Sequence, residues 1–434
     1  MIGGDRVLVL GVALGLGEES ALLGAACALH EAGHDVTLAA TPRLAARARA
    51  TKLRAVAIGP DLAPGEPSYW DTVFETLLDV HRGPRRWLND AVAPLEAAWL
   101  AGCTDIARDA DVILAGSLAP FAPAVARAAG IPWVRLARAP DGLGPEAPHE
   151  LVHWLGAHAA HAAAKLPKAT RELVARAQRA LAARMRDAGP APTLRLAAFS
   201  PALALACQEG PSAVAQIGAL AHDDARPLDP ALADFVGAGT PPVLLTLGST
   251  PSVYRPGAIH DAFAEALARA PRTRGVLVVA DELVDTLRPR FESDTLRVAG
   301  YTPYGLLMPR CQAVVHHGGA GAVAHALAAG IPSLVVGHAS YQRTHAGLLA
   351  GLGIGRALAP SAVSVTSLAE ALRGLRDDDA LRARAREVGE RVRAENPSAA
   401  LVAALRSAVA RTPAQPSGFA AASGSRPVST RISL

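Results

Sequence analysis

Residues 313–342, AVVHHGGAGAVAHALAAGIPSLVVGHASYQ, constrain the fold more than any other stretch of the chain. Ala313, Val314 and Val315 form an apolar run of the kind that makes a buried parallel strand. His316 and His317 follow, and then the glycine loop Gly318-Gly319-Ala320-Gly321. Alanine and leucine dominate residues 322–329, which predicts a short helix with Gly330 at its C-cap position. Pro332 bars the helix from continuing, and residues 333–336 give a second apolar strand. Strand, glycine loop and helix start together aim several backbone N–H groups at one spot, with the helix dipole behind them. That is a place for a phosphate, although a glycine loop alone also serves as nothing more than a tight turn.

The loop does not stand alone. His316-His317-Gly318-Gly319-Ala320-Gly321, then Ala329-Gly330-Ile331-Pro332, then His338 and Gln342, resembles the nucleotide-sugar signature of the GT-B glycosyltransferases. The likeness is strongest to the bacterial natural-product and sterol-type branch of the UDP-glycosyltransferase superfamily. It implies an α/β chain of two Rossmann-like, doubly wound domains facing each other across a cleft. By this resemblance His317 and the backbone around Gly319, Gly321 and Ala322 contact the donor diphosphate, and Gln342 holds sugar hydroxyls. Gly248, Ser249 and Thr250, after the strand that opens the second half, match a segment that approaches the donor. Three positions depart from the pattern. Ala322 replaces a hydroxyl residue, Gly337 a proline, and Tyr341 the acid that precedes the glutamine. Tyr341 in that donor-binding position implies a sugar with fewer hydroxyls to grip, such as a deoxysugar.

With 434 residues the chain is too long for one ordinary core and fits two domains. Half the residues are hydrophobic and 19% charged, a globular balance that excludes wholesale disorder. A formal charge of +4, carried by arginine, suits a diphosphate ligand and does not indicate nucleic acid. Cys27, Cys103, Cys207 and Cys311 are scattered, so neither a disulfide framework nor a zinc site is expected, and a reducing cytoplasm fits. Residues 1–5 lack the basic start of a secretory signal, and no stretch reads as an integral membrane segment.

Taken in order, residues 6–11 read as a strand, 12–20 as a loop, 21–32 as a helix and 35–40 as a strand, a βαβ opening. Gly11, Gly15 and Gly17 do not give the GxGxxG of a dinucleotide site, which disfavours an oxidoreductase. Counted back from Gly33-His34, the resemblance puts the catalytic base on Glu18. Two alternatives stay open. Glu18 and Glu19 both cap the next helix, or Glu19 is the base after a slip of one residue. Tyr69 and Trp70 line an acceptor pocket or belong to satellite packing. Ser117, with Gly116, occupies the region where many relatives carry an aspartate that orients a histidine base, and is assigned to the acceptor side. A carboxylate base needs no such partner. His149, His153, His158 and His161 include a pair one turn apart, compatible with a metal but also with a pH-responsive helix face. Residues 165–188 read as solvated basic helix, and residues 199–206 resemble the family's last strand of the first domain. The domains expected are an acceptor-binding domain over 1–217, a linker over 218–240, and a nucleotide-sugar domain over 241–397 ending in charged helix at 367–395. A helix over 398–411 crosses back to the first domain, and a Pro-, Gly- and Ser-rich tail covers 412–434.

The reaction so implied is an inverting, metal-independent glycosyl (hexosyl) transfer with no cofactor beyond the nucleotide-sugar as co-substrate. Its partners are a UDP- or TDP-linked donor and a small hydrophobic acceptor. The rival expectation is a catalytically degenerate GT-B homologue that acts as a partner or ligand-binding protein, and Glu18, Ala322, Gly337 and Tyr341 all count in its favour. The oligomeric state is left open.

Overall fold

The computed structural model describes residues 4–12, 16–61, 93–116, 119, 121–138, 189–203, 214–222, 226–248, 257–270, 272–338 and 340–410. Two sheets organise them. The first contains β1 (Arg6–Gly11), β2 (Asp35–Ala40), β3 (Arg54–Ala57), β4 (Val112–Gly116), β5 (Trp133–Ala137), β6 (Leu194–Ala197) and β7 (Val214–Gln216), in the order β3-β2-β1-β4-β5-β6-β7. The second contains β8 (Val243–Thr246), β9 (Gly275–Val278), β10 (Leu296–Ala299), β11 (Ala313–His316), β12 (Ser333–Val335) and β13 (Gly355–Ala357), in the order β10-β9-β8-β11-β12-β13. Every pairing is parallel, with Val7 opposite Val112 in one sheet and Thr246 opposite His316 in the other.

The strands read as unbroken apolar runs because both faces of each sheet are covered. Along β1, Val7 and Val9 enter one core cluster while Leu8 and Leu10 enter the cluster on the opposite face. Along β11, Ala313 and Val315 face one side and Val314 the other. At roughly 1.5–3 kcal/mol for each fully buried aliphatic side chain, these two-sided cores dominate the stability of both units.

Five helices bear on the site: α1 (Leu16–Glu31), α2 (Pro230–Gly237), α3 (Ala320–Ala329), α4 (Ser340–Gly351) and α5 (Pro397–Ala410). Helix α1 begins five residues earlier than the apolar pattern indicated, so Glu18 and Glu19 lie in its first turn rather than in a loop. Acids are favoured there by the positive end of the helix dipole. Helix α5 returns to the first sheet, where Leu401, Leu405 and Ala408 share a core with Leu22, Ala26 and Leu194. Just before it, the Ser200 hydroxyl donates to Glu395 at 2.5 Å, and burial raises the pKa of that carboxyl.

Other boundaries differ for local reasons. The stretch expected as linker contains α2, which Asp229 caps by accepting from Leu232 N at 3.1 Å. Its Leu232, Phe235 and Val236 pack into the core of the second sheet. Among the described residues the last strands of the first sheet are β6 and β7; of the stretch expected as a strand, residues 204–206 lie outside the described residues, while Pro201–Leu203 makes a 3-10 turn and Ala202 N donates to Ser200 Oγ. The charged helix near 367–395 is two helices, Val365–Asp377 and Asp379–Arg393, parted at Asp378, which caps the second. Tyr69, Trp70, Ser117, Ser249, Thr250, the histidines at 149–161 and residues 165–188 and 411–434 lie outside the described residues. Among the described residues no helix is long and apolar enough to cross a membrane.

Candidate functional site

Both sheets reverse their winding at one place. In the first, β1 leads outward through β2 and β3, while β4 leads the other way, so the crevice opens between β1 and β4. In the second, the reversal lies between β8 and β11. Ligands of open parallel sheets bind beyond the carboxyl ends of the strands at such switch points. The two crevices face each other. The Cα of Gly17, in the first turn of α1, lies 4.0 Å from where a Cβ on Gly321 would stand, in the first turn of α3.

On the second sheet the site is built around His317. Its imidazole fills a slot between two glycines that only bare backbone leaves open. A Cβ on Gly248 would come within 2.6 Å of the ring, and one on Gly319 closer still. His317 as a whole residue is partly exposed. Desolvation, and after it the charges of His338 and Arg138, push the His317 pKa down to about 3, against a hydrogen bond to the Thr246 backbone. The imidazole is therefore neutral near pH 7. Helix α3 starts at Gly319 with no side-chain cap, which leaves its first turn available to an anion.

The glycine loop is held from behind. Gly318 has φ +89°, a conformation that glycine adopts without strain. Its amide donates to His316 Nδ1 at 3.1 Å, and its carbonyl accepts from His345 Nδ1 at 2.8 Å. Both histidines are fully buried, and desolvation pushes the His316 pKa down to about 3. His316 is thus a brace for the loop, beside the partly exposed His317. Gln342 is also buried, with its carboxamide oxygen accepting from His338 N at 2.8 Å. That oxygen ties down the loop after β12. Ala322 packs its methyl among Leu244, Val276 and Met308, so no polar group is missing from a wet surface there. Tyr341 lies in the first turn of α4.

On the first sheet the two neighbouring acids have separate surroundings. Glu19 is wholly buried and receives Arg43 Nε at 2.6 Å and Arg47 Nη1 at 2.5 Å, both from the helix Pro42–Ala50. Those bonds occupy both of its oxygens. Glu18 is 3% exposed and lies over the end of β4, its Oε1 3.6 Å from the position of a Cβ on Gly116. The Nε of Arg138, just past β5, stands 3.8 Å from Glu18 Oε2. So Glu18 faces the switch-point crevice and Glu19 does not.

The pattern missed Arg138 and His345. Arg138 carried a readable signal, a cation directly after the strand WVRLA, at the sheet edge where ligands bind. His345 follows Gln342 by three residues and so shares its helix face.

Comparison with known proteins agrees with this geometry. The sequence profile described as "Erythromycin biosynthesis protein CIII-like, C-terminal domain" matches residues 277–407. The structure of the spinosyn rhamnosyltransferase SpnG complexed with thymidine diphosphate superposes with a TM-score of 0.63 at 21% identity, over 92% of this chain and 100% of that one. The O-mycaminosyltylonolide 6-deoxyallosyltransferase of Streptomyces fradiae is 40% identical over 167 residues, a span covering only 38% of each chain. An uncharacterised glycosyltransferase of Mycobacterium bovis is 30% identical over 381 residues, 84% of this chain and 89% of the relative. Two parallel-sheet domains with opposed switch points define the GT-B class. Within it, the chain belongs to a family of glycosyltransferases.

Proposed function

We propose that the protein transfers a sugar, with inversion at C1, from a TDP- or UDP-linked donor to a small hydrophobic acceptor. The observation that carries this reading is the opposition of Glu18 and His317 at the switch points of two facing sheets, with Arg138 alongside. An acceptor hydroxyl or N–H gives its proton to Glu18 while its oxygen or nitrogen bonds to C1. The C1–O bond to phosphate breaks as that bond forms, and the nucleoside diphosphate leaves with the electron pair. His317 and the amides at the start of α3 stabilise the charge that develops on the leaving group. Because these groups carry the charge, EDTA is expected to leave turnover intact.

A deoxysugar donor is the narrower part of the proposal. Tyr341 stands where the resembling family has an acid for gripping hydroxyls, and the partly aligned Streptomyces fradiae relative is named for 6-deoxyallosyl transfer. The thymidine diphosphate of the SpnG complex supports a TDP-linked donor in particular. The test is a donor panel of TDP- and UDP-linked hexoses and deoxyhexoses against polyketide-like aglycones. Product release is followed by chromatography and the anomeric configuration by NMR. Preference for UDP-glucose would remove the deoxysugar assignment. Nucleotide binding without turnover of any donor would instead favour a degenerate homologue.

A further inference from the structure

Thr246, the last residue of β8, is the point from which the His317 slot is built. It is 1% exposed. Its backbone holds the His317 imidazole through a hydrogen bond, and its Oγ1 accepts from the amide of Gly248 at 3.3 Å. That second bond fixes the turn in which Gly248 takes φ +82° and becomes one wall of the slot. A threonine hydroxyl rotates to suit its partners, so it holds an amide firmly only when another group sets its direction. Tyr304 does so, with its hydroxyl 2.6 Å from Thr246 Oγ1. Burial pushes the Tyr304 pKa up to about 12, and the phenol keeps its proton near pH 7. Tyr304 also reaches the other wall. Its ring stands edge-on to the His325 imidazole, with centroids 5.9 Å apart, and packs against the apolar cluster that contains Leu244, Ala322 and Ala326. His325, Ala322 and Ala326 belong to α3, whose N-cap Gly319 closes the slot from that side. One side chain, at the start of the short helix Tyr304–Leu307, thus links β8 to α3.

We propose that Tyr304 is a positioning residue for donor binding, which through Thr246 sets the turn at Gly248, and through α3 the place of Gly319, so that the His317 ring is presented to the diphosphate in one orientation. The inference rests on the proposed function above and adds to it a residue that touches no reacting atom. A ring that is held in place before the ligand arrives binds more tightly than one that must be ordered on binding. The walls supply that order here, because bare backbone on both sides leaves the imidazole one plane to occupy. If the Thr246 hydroxyl turns away, the Gly248 amide loses its acceptor and that wall loosens.

The test is isothermal titration of the full-length chain with TDP and UDP, with thermal unfolding of the same samples. Tyr304→Phe keeps the ring and its packing and removes only the hydroxyl. It is expected to lower diphosphate affinity roughly two- to tenfold, the span of a neutral hydrogen bond. Thr246→Val, which removes the other hydroxyl, should do at least as much, while Thr246→Ser should keep most of the wild-type affinity. Dependence on His317 separates positioning from a merely structural role. In a His317→Ala background, Tyr304→Phe should leave the remaining affinity unchanged, whereas any loss of thermal stability persists there. Wild-type affinity in Tyr304→Phe and Thr246→Val overturns the inference, and so does an equal loss of affinity with and without His317. Should Tyr304→Phe not fold, Thr246→Val in the same two backgrounds decides the point. A wild-type chain that binds neither diphosphate overturns the donor reading together with this inference. Normal wild-type binding with indifferent variants overturns the inference alone.

Discussion

His345 donates from Nδ1 to the carbonyl oxygen of Gly318 at 2.8 Å, across the fully buried underside of the glycine loop. A carbonyl oxygen only accepts, so the His345 proton is on Nδ1. The amide of the same glycine donates to His316 Nδ1, which puts the His316 proton on Nε2. Two histidines in opposite tautomers thus clamp one peptide in the left-handed region, and the N–H groups beyond it keep their aim at the cleft.

Loss of the clamp is expected to weaken donor binding without removing any group that touches the donor. His345→Ala leaves the Gly318 carbonyl buried and unpaired, a cost of about 1–3 kcal/mol. Thermal unfolding should show that loss, and TDP affinity should fall with it, while His345→Asn, which restores a donor, recovers part of both. Normal stability together with normal nucleotide binding in His345→Ala would show that the loop does not depend on the clamp.

The slot around His317 makes a second expectation. If His317 binds the donor phosphate as proposed, His317→Ala removes a hydrogen bond to a charged group, worth about 1.5–3 kcal/mol, or roughly ten- to a hundredfold in affinity. Gly248→Ala should reproduce that defect, because its Cβ would meet the imidazole at 2.6 Å and its φ of +82° strains any other residue. If the alanine acts by expelling the ring, the double variant His317→Ala with Gly248→Ala binds TDP as His317→Ala alone does. Additive losses would show that Gly248 contributes by another route.

The residues that gave the fold away are those whose type is forced by local geometry. The apolar runs of β1 and β11 need two covered faces, and Gly330, at φ +67°, ends α3 in the conformation glycine favours. Residues 313–336 were therefore legible to within two or so residues at each boundary. The start of α1 was less so, because Leu16 and Gly17 carry no helical periodicity and the first turn is set by Glu18 and Glu19 against the first domain. The separation of those two acids could not be read at all. Adjacent residues on a helix point about 100° apart, and only the tertiary placement of Arg43, Arg47 and Arg138 decides which acid is tied down. Arg138 escaped notice for the same reason, as its partners lie more than a hundred residues away in sequence.

Acid is expected to destabilise the second sheet through His316. Its pKa is about 3 in the folded chain against an ordinary 6.5, with burial as the main cause. Between those values the unfolded chain binds a proton that the folded chain does not, so stability rises with pH. The contribution is complete above pH 6.5 and is lost progressively as the pH falls towards 3. At pH 5 the loss amounts to about 2 kcal/mol. His260, whose burial lowers its pKa to about 4, acts in the same direction. Urea denaturation at pH 7 and pH 5 measures the effect. His316→Asn keeps an acceptor for the Gly318 amide and cannot titrate, so its stability should change less between the two pH values. An identical pH dependence in that variant would exclude His316 as a source.

The two acids of α1 are expected to fail in different ways. Glu18 faces the crevice beside Gly116, and the proposed reaction uses it as the base. General-base assistance is worth about 10²–10⁴ in rate, so Glu18→Gln should lower kcat by an amount in that range. The fold should stay intact, because the amide fills the same volume, and nucleotide affinity should not weaken. Glu19 has both oxygens engaged by Arg43 and Arg47 and is fully buried. Its neutral counterpart leaves two guanidinium groups without their carboxylate, at a cost reduced by their partial exposure to about 1–3 kcal/mol. Glu19→Gln should therefore unfold at lower temperature while turning over at near the normal rate below its transition. Thermal unfolding and single-turnover rates on the same two variants separate these outcomes. A Glu19→Gln enzyme that folds normally but has lost the chemical step would move the base to Glu19. A Glu18→Gln enzyme of full activity would leave the reaction without the base assigned to it here.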